Sequence, residues 1–360
     1  MQQDSKHLAP FSCTYTSNIP ELILNLRISL LISTYQAGKL IVISPNDTNK
    51  MTILPRSFQK PMGVAVSGDG EHLAIATKDE IIVNRNSSQL AWHYPKKPQT
   101  YDAMYMPRMT LHTNALDIHD LEWVNNEIYG VNTLFSCLCR FDANFNFTPI
   151  WKPPFISKIS SEDRCHLNGM ALEGNTIRYA TAFGTGDSFQ SWRENIMTDG
   201  ILMDVVTGEI LLKGLPMPHS PRMIGDKLYI LLSGTGGLLE YDPQTGKSEE
   251  IKSFDNFVRG MSHHGEFLFI AHSRLRQNSS TFAKLEIPNK EQQAGIIVFH
   301  LPTRAIAGNF TFHASVDEIY DVKVLPKYIR PNILNTQSEI YKHGVEIPEM
   351  TFWARGHNKS

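Results

Sequence analysis

The chain has 360 residues, 41% hydrophobic and 19% charged, enough apolar material for the core of one large all-β domain. Its net charge of -2 argues against a general nucleic-acid binder, and four cysteines are too few for a disulfide framework. The start, MQQDSKHLAPFSC, lacks a basic region followed by an apolar run, and ELILNLRISLLIS is short and carries Arg27, so neither a secretory signal nor a membrane span is expected. These features describe a cytoplasmic protein that binds neither nucleic acid nor membrane.

Residues 1–27 read as an N-terminal extension with one short helix at IPELILNL, where Asn18 suits the cap and Pro20 the first turn. The strands SLLISTY, KLIVISP and KMTILP follow. From there the chain alternates turns with apolar strands: SGDG precedes HLAIAT, VNNE precedes IYGVNT, and EGN precedes IRYATAF. IGDK precedes LYILLS and HHGE precedes FLFIAHS in the same way. Gly, Asn and Asp tolerate positive φ, so these are hairpins. The first strand of each hairpin opens on a recognisable word: PMGVAV, IHDLEW, HLNGMAL, SPRMIG, VRGMSH and finally EIYDVKV. The words recur at about 40 to 60 residues, the length of a four-stranded propeller blade with insertions.

EIYDVKV has too little strand-like sequence after it to build a blade, whereas the three N-terminal strands have no inner strand before them. Joining the two completes one blade from both ends of the chain and removes free sheet edges. The expected fold is an all-β, six-bladed β-propeller over residues 28–327, closed by pairing N- and C-terminal strands, with seven blades as the alternative. Residues 328–360 read as an irregular tail packed on the outside. Cys137 and Cys139, two apart on one strand, face the same side as buried free thiols. SGTGGLLEYD lacks the lysine of a phosphate loop and opens into a strand, so it reads as a hairpin turn. FGTGDSFQSWREN is a long polar insertion whose Trp192 and Arg193 are candidates for a pocket wall or lid.

In a propeller the starts of the inner strands converge on one channel mouth. Here they carry Met62, His119 with Asp120, His166 with Asn168, His219 with Ser220 and Arg222, Arg259, and Tyr320 with Asp321. Three kinds of chemistry suit this set. His119, His166 and His219 could bind a divalent transition metal with one position open, oriented by Asp120 or Asp321. Arg222 and Arg259, with Arg164 nearby, could grip an anion, unless Asp120, Asp163 or Asp321 pairs with them. A histidine beside Asp120 could act as a general base without any metal. Serine chemistry is disfavoured: no GxSxG elbow exists, and His219 and Ser220 point apart on an extended chain.

The phrases IHDLEW, VNTLFSCL, WKPPFIS, DRCHLNGMAL, WREN, PMPHSPR, LSGTGGL and VRGMS resemble those of a large, mainly bacterial family of conserved hypothetical proteins, a domain of unknown function. The resemblance runs from STYQAGKL near Ser33 to about Arg274 and implies a propeller-like fold with no assigned reaction. The family's PHSPR phrase is intact at Pro218 to Arg222, whereas its usual GG appears here as Asp199–Gly200. At fold level only, the plan is similar to lactonases and strictosidine-synthase-like enzymes, which hold a cation with Glu, Asn and Asp; Asn168 with Asp120 or Asp321 could mimic part of that set.

The function expected is a central-channel pocket for a small anionic or polar molecule, or a peptide end. A further reading is a metal-assisted enzyme of hydrolase, lyase or oxygenase type using the histidine ring. The alternative is a non-enzymatic scaffold holding a protein partner.

Overall fold

The computed structural model describes residues 8–275, 285, 287 and 293–354. Six small antiparallel sheets stand in a ring, and their inner strands touch one another in a closed circuit. This is the six-bladed propeller, not the seven-bladed alternative. Blade 1 is closed as expected: inner strand Asp321–Pro326 from the C-terminal side pairs with Ile28–Thr34, followed by Lys39–Pro45 and Met51–Ser57. Blade 2 comprises Val64–Val66, His72–Ala76, Glu80–Asn86 and Ala103–His112, and blade 3 comprises Ile118–Val124, Glu127–Asn132, Cys137–Phe141 and Thr148–Trp151. Blade 4 runs Leu167–Glu173, Thr176–Ala182, Gly200–Asp204 and Ile210–Leu215; blade 5 runs Pro218–Ile224, Lys227–Leu232, Gly237–Tyr241 and Ser248–Ser253. Blade 6 holds Phe257–His264, Phe267–Ser273, Gly295–His300 and Ala305–Phe312.

The apolar runs exist because each middle strand is buried on both faces. Side chains alternate across a strand, so successive residues enter different interfaces. In blade 5, Leu228, Ile230 and Leu232 pack towards blade 4, while Tyr229 and Leu231 pack towards blade 6. In blade 1, Ile41 and Ile43 face blade 6, while Leu40 and Val42 face blade 2. Six such clusters fill the six gaps between blades. Each fully buried Leu or Ile contributes about 1.5–3 kcal/mol, so the gaps are the principal source of stability. Cys137 and Cys139 are buried together in one of them, and burial pushes the Cys137 thiol up to about 12.

Among the described residues, those before the first blade strand and after Pro326 form more regular structure than the sequence indicates. Ile19–Leu26 is the expected helix, with Asn18 at its cap and Pro20 in its first turn; the Asn18 amide, however, donates to the Ala307 carbonyl instead of capping. Cys13–Tyr15 adds a fifth, outermost strand to blade 6. The tail, expected to be irregular over residues 328–360, adds strand Pro331–Ile333 to the outer edge of blade 2 in parallel with Ala103–Tyr105. It continues into a hairpin of Gly344–Ile347 and Met350–Trp353. This corrects the sequence reading: the edge is covered by chain that carries almost no strand pattern of its own. Among the described residues no helix is long and apolar enough to cross a membrane.

Candidate functional site

At one end of the channel lies a cavity of about 340 Å³ to which every blade contributes one residue from the start of its inner strand: Tyr320, Met62, His119, His166, His219 and Arg259 in order round the ring. Trp192 and Arg193 close one side, carried by the insertion before Gly200 as a 3-10 turn. Tyr35, Asp117, Phe183, Met217, Phe257 and Glu318 complete the lining.

The inner strands are held at this end by a recurring latch. A hydroxyl at or just past the end of one blade's second strand donates to a carbonyl at the start of the next inner strand. Ser33 reaches Met62 (2.6 Å), Thr133 reaches Leu167 (2.5 Å), Ser233 reaches Val258 (2.5 Å) and Ser273 reaches Ile319 (3.1 Å). The signal is visible in sequence as the Ser or Thr ending LLIS, GVNT, ILLS and IAHS, but its meaning depends on knowing which blade lies beside it.

The three imidazoles are all held from behind through Nδ1. His119 donates to the Asp117 carbonyl at 3.0 Å. His219 donates to Ser233 Oγ at 2.7 Å, with the Met217 carbonyl at 3.1 Å; Ser233 spends its own proton on Val258, so it must accept here. His166 donates to both oxygens of Asp163 at 3.1 Å, and Trp192 Nε1 donates to Asp163 at 3.0 Å while its ring lies 4.3 Å from that of His166. These partners fix the tautomers and leave each Nε2 as the ring nitrogen with no hydrogen bond among the described residues. Burial, then the His166 and Arg259 charges, push His119 well below the ordinary histidine range. His219 is pushed down in the same way, by burial and then by Arg259 and His166. Both are neutral acceptors near pH 7.

Arg259 lies over the Tyr320 ring, 3.5 Å from its centroid, and makes no ion pair or hydrogen bond among the described residues. The Tyr320 hydroxyl is buried without a partner, and burial raises its pKa. Arg259 and the orphan Tyr320 hydroxyl thus line the same cavity, together with the carboxylates of Asp117 and Glu318.

A family model described as a domain of unknown function (DUF4915) matches residues 17–334. The chain belongs to the DUF4915 family. No curated protein matches this DUF4915 chain. Among solved structures it is similar to a chain from a nidogen/laminin complex, with 12% identity and a TM-score of 0.53 over 83% of this chain and 99% of that one. It is also similar to a protein of unknown function from Bacteroides caccae, with 7% identity and a TM-score of 0.52 over 82% and 98%. At such identities the likeness shows the fold alone.

Not every residue singled out in the DUF4915 sequence reaches the mouth. Arg222 does not: it sits deeper, where its guanidinium pairs with Asp120 at 2.8 and 3.1 Å and donates to the carbonyls of Met170 and Met261. One side chain thereby ties blades 3, 4, 5 and 6 together across the axis. The reason is depth: across a bulge at Ser220, Arg222 pairs with Tyr229, two residues beyond Leu231, the partner of His219, which carries it about 7 Å further along the channel. Asp120 is accordingly a partner of Arg222, not of His119; the carboxylate that orients a histidine is Asp163. Lys323 lies 3.1 Å from Glu122, 3.8 Å from Asp120 and 3.9 Å from Asp321. Burial works against the Arg222 charge, but Asp120, Glu122 and Asp321 outweigh it and hold the guanidinium above its usual range. Burial, with Asp120 opposing its charge, pushes Asp321 up to about 6 although Lys323 pulls it down.

Ser220, at φ 50, accepts from Gly260 N at 3.0 Å and lines neither end of the channel. Asn168 is buried with its oxygen accepting from Thr181 and its amide unsatisfied. Arg164 pairs with Glu162 and Asp187, both at 2.6 Å, and so anchors the insertion that carries Trp192. The metal reading of His119, His166 and His219 finds no geometric support. Phe183 packs against both His166 (4.5 Å) and His219 (5.0 Å), His119 meets His166 edge-on, and among the described residues no group of three or more His, Cys, Asp or Glu could hold a metal ion.

Proposed function

We propose that the protein binds a small anionic molecule in the channel-mouth cavity, with Arg259 and the Tyr320 hydroxyl gripping its negative group. The observation that carries this reading is the unpaired Arg259 beside an unsatisfied buried hydroxyl. Arg259 is half-buried, and a bound anion pairs its charge while giving the buried Tyr320 hydroxyl the partner it lacks. The Nε2 atoms of His119 and His219 accept hydrogen bonds from N–H or O–H groups on the same molecule, so a polar anion fits better than a purely hydrocarbon acid.

One observation favours turnover as a second reading. His166 backed by Asp163, itself fixed by Trp192, has the construction of a general base. A scaffold for a protein partner needs none of these features. The test is a thermal-shift and calorimetric panel of small carboxylates, phosphates and sulfates against wild type and Arg259→Met. The account expects at least one anion to raise the melting temperature saturably in wild type and to bind at least about tenfold more weakly to the variant. An equal response in both proteins, or none in either, contradicts it and favours the scaffold. With a bound anion identified, Asp163→Asn is expected to lower any turnover by about 100- to 10,000-fold while changing binding only a few-fold.

A further inference from the structure

A second cavity, of about 480 Å³, lies far from the channel on the outer edge of blades 1 and 2. Its walls are the outermost strand of blade 1 (Arg56, Ser57), the segment between helix Ser88–Trp92 and strand Ala103–His112 (Tyr94, Lys96, Lys97, Tyr101), and the tail after Ile333. No carboxylate is among its described lining residues. Asp102, the nearest in sequence, is turned to the Ile329 and Arg330 N–H groups.

Arg56 is held in this wall entirely by neutral acceptors. Nε donates to the Ile333 carbonyl (2.7 Å), Nη1 to the Pro55 carbonyl (3.0 Å) and Nη2 to Asn332 Oδ1 (2.6 Å). A guanidinium has five N–H bonds, so one on each Nη has no partner among the described residues. Burial lowers the Arg56 pKa, opposed only by the nearby tyrosines Tyr101 and Tyr94. Among the described residues Lys96 and Lys97 form no ion pair, and the Tyr94 and Tyr101 hydroxyls make no hydrogen bond. The cavity thus gathers three cations and two phenolic donors with no anion to neutralise them. Such a cluster repels itself until an anion with several acceptor oxygens arrives.

We propose that this pocket is a second ligand site, independent of the channel mouth, for a tetrahedral oxyanion: the phosphate or sulfate group of a small soluble molecule. The Arg56 fork takes two oxygens, and Lys96, Lys97 and the two phenols surround the rest. Because the tail builds one wall, occupancy also braces residues 334–338 against blade 1.

The test is calorimetric titration of the full chain with inorganic phosphate, sulfate and pyrophosphate at low ionic strength, with vesicles containing phosphatidic acid as a parallel arm. Arg259→Met serves as background, so that binding at the mouth is not counted. In the Arg259→Met background the expected result is saturable one-to-one binding that falls at least tenfold when Lys96→Ser/Lys97→Ser is added and weakens as salt is added. The lysine variant alters exposed side chains only, so it reports on the site without disturbing the fold. Binding lost in Arg259→Met but kept in the lysine variant would overturn the proposal, as would no binding of any of the three anions. Vesicle binding without binding of the free anions would assign the patch to a lipid surface and overturn it equally.

Discussion

At the scale of single residues, position along the inner strand decides what a polar side chain does. His119, His166, His219, Arg259 and Tyr320 stand at the strand starts and meet in the mouth cavity, and this much was legible from their place in the recurring words. Arg222 shares a phrase with His219, yet a register shift at Ser220 and a greater depth put it in the axial charge cluster. Nothing in PHSPR reports that depth. Asp163 was legible only as an acid near arginines, because its left-handed backbone, φ 46, is what turns it to His166. Asp120→Asn leaves Arg222 buried without its counter-charge and is expected to cost about 3–5 kcal/mol in chemical denaturation, with Asp120→Asn/Arg222→Met recovering part of the loss. Equal costs for the single and double variants would deny the coupling.

The same cluster predicts a pH dependence. Asp321 has a raised pKa, so the native state keeps a proton that the unfolded chain releases. Its stabilisation is full below about pH 4 and is lost as pH rises through about 6. Asp120 faces it with a pKa lowered by Arg222 and Lys323 against burial, and therefore acts in the opposite sense at lower pH. Comparison with Asp321→Asn isolates the first effect. Wild type is expected to lose on the order of 2–3 kcal/mol relative to the variant between pH 4 and pH 7. A flat difference would show that Asp321 keeps an ordinary carboxyl pKa.

At the scale of elements, hairpins were legible because their two requirements are local: turn residues tolerant of positive φ and apolar strands buried on both faces. Gly200 illustrates a requirement that is not local. A Cβ there would lie 2.1 Å from the Leu215 carbonyl oxygen, whereas Asp199 beside it is exposed, which explains why the departure from GG at Asp199 is tolerated. The tail was illegible for the same reason: Pro331–Ile333 is three residues long and pairs in parallel with a strand more than two hundred residues earlier. It nevertheless places Leu334 over Leu90, Met104 and Met106 in a small buried cluster. Deleting residues 328–360 is expected to lower the melting temperature on the order of 5–10 °C while preserving the β-sheet signature in circular dichroism. An unchanged melting temperature would show that the tail only decorates blade 2.

At the scale of the whole molecule, closure by strands from the two ends of the chain gives the ring a single axis, and the axis is layered. A mouth of three imidazoles and one arginine leads to a belt of balanced charges at Asp120, Arg222, Lys323 and Asp321. Beyond it a second opening is lined by Glu122, Met223, Ser262 and His263. The belt is internally neutralised, so the proposed anion meets Arg259 and Arg193 at the mouth, with Asp117 and Glu318 on the same lining. The most direct measurement is an anomalous difference map from crystals soaked in bromide, a monovalent probe small enough for the cavity. The account predicts a bromide site in contact with Arg259 and the Tyr320 hydroxyl that disappears in Arg259→Met. A map with bromide elsewhere on the protein and none in the mouth would contradict it.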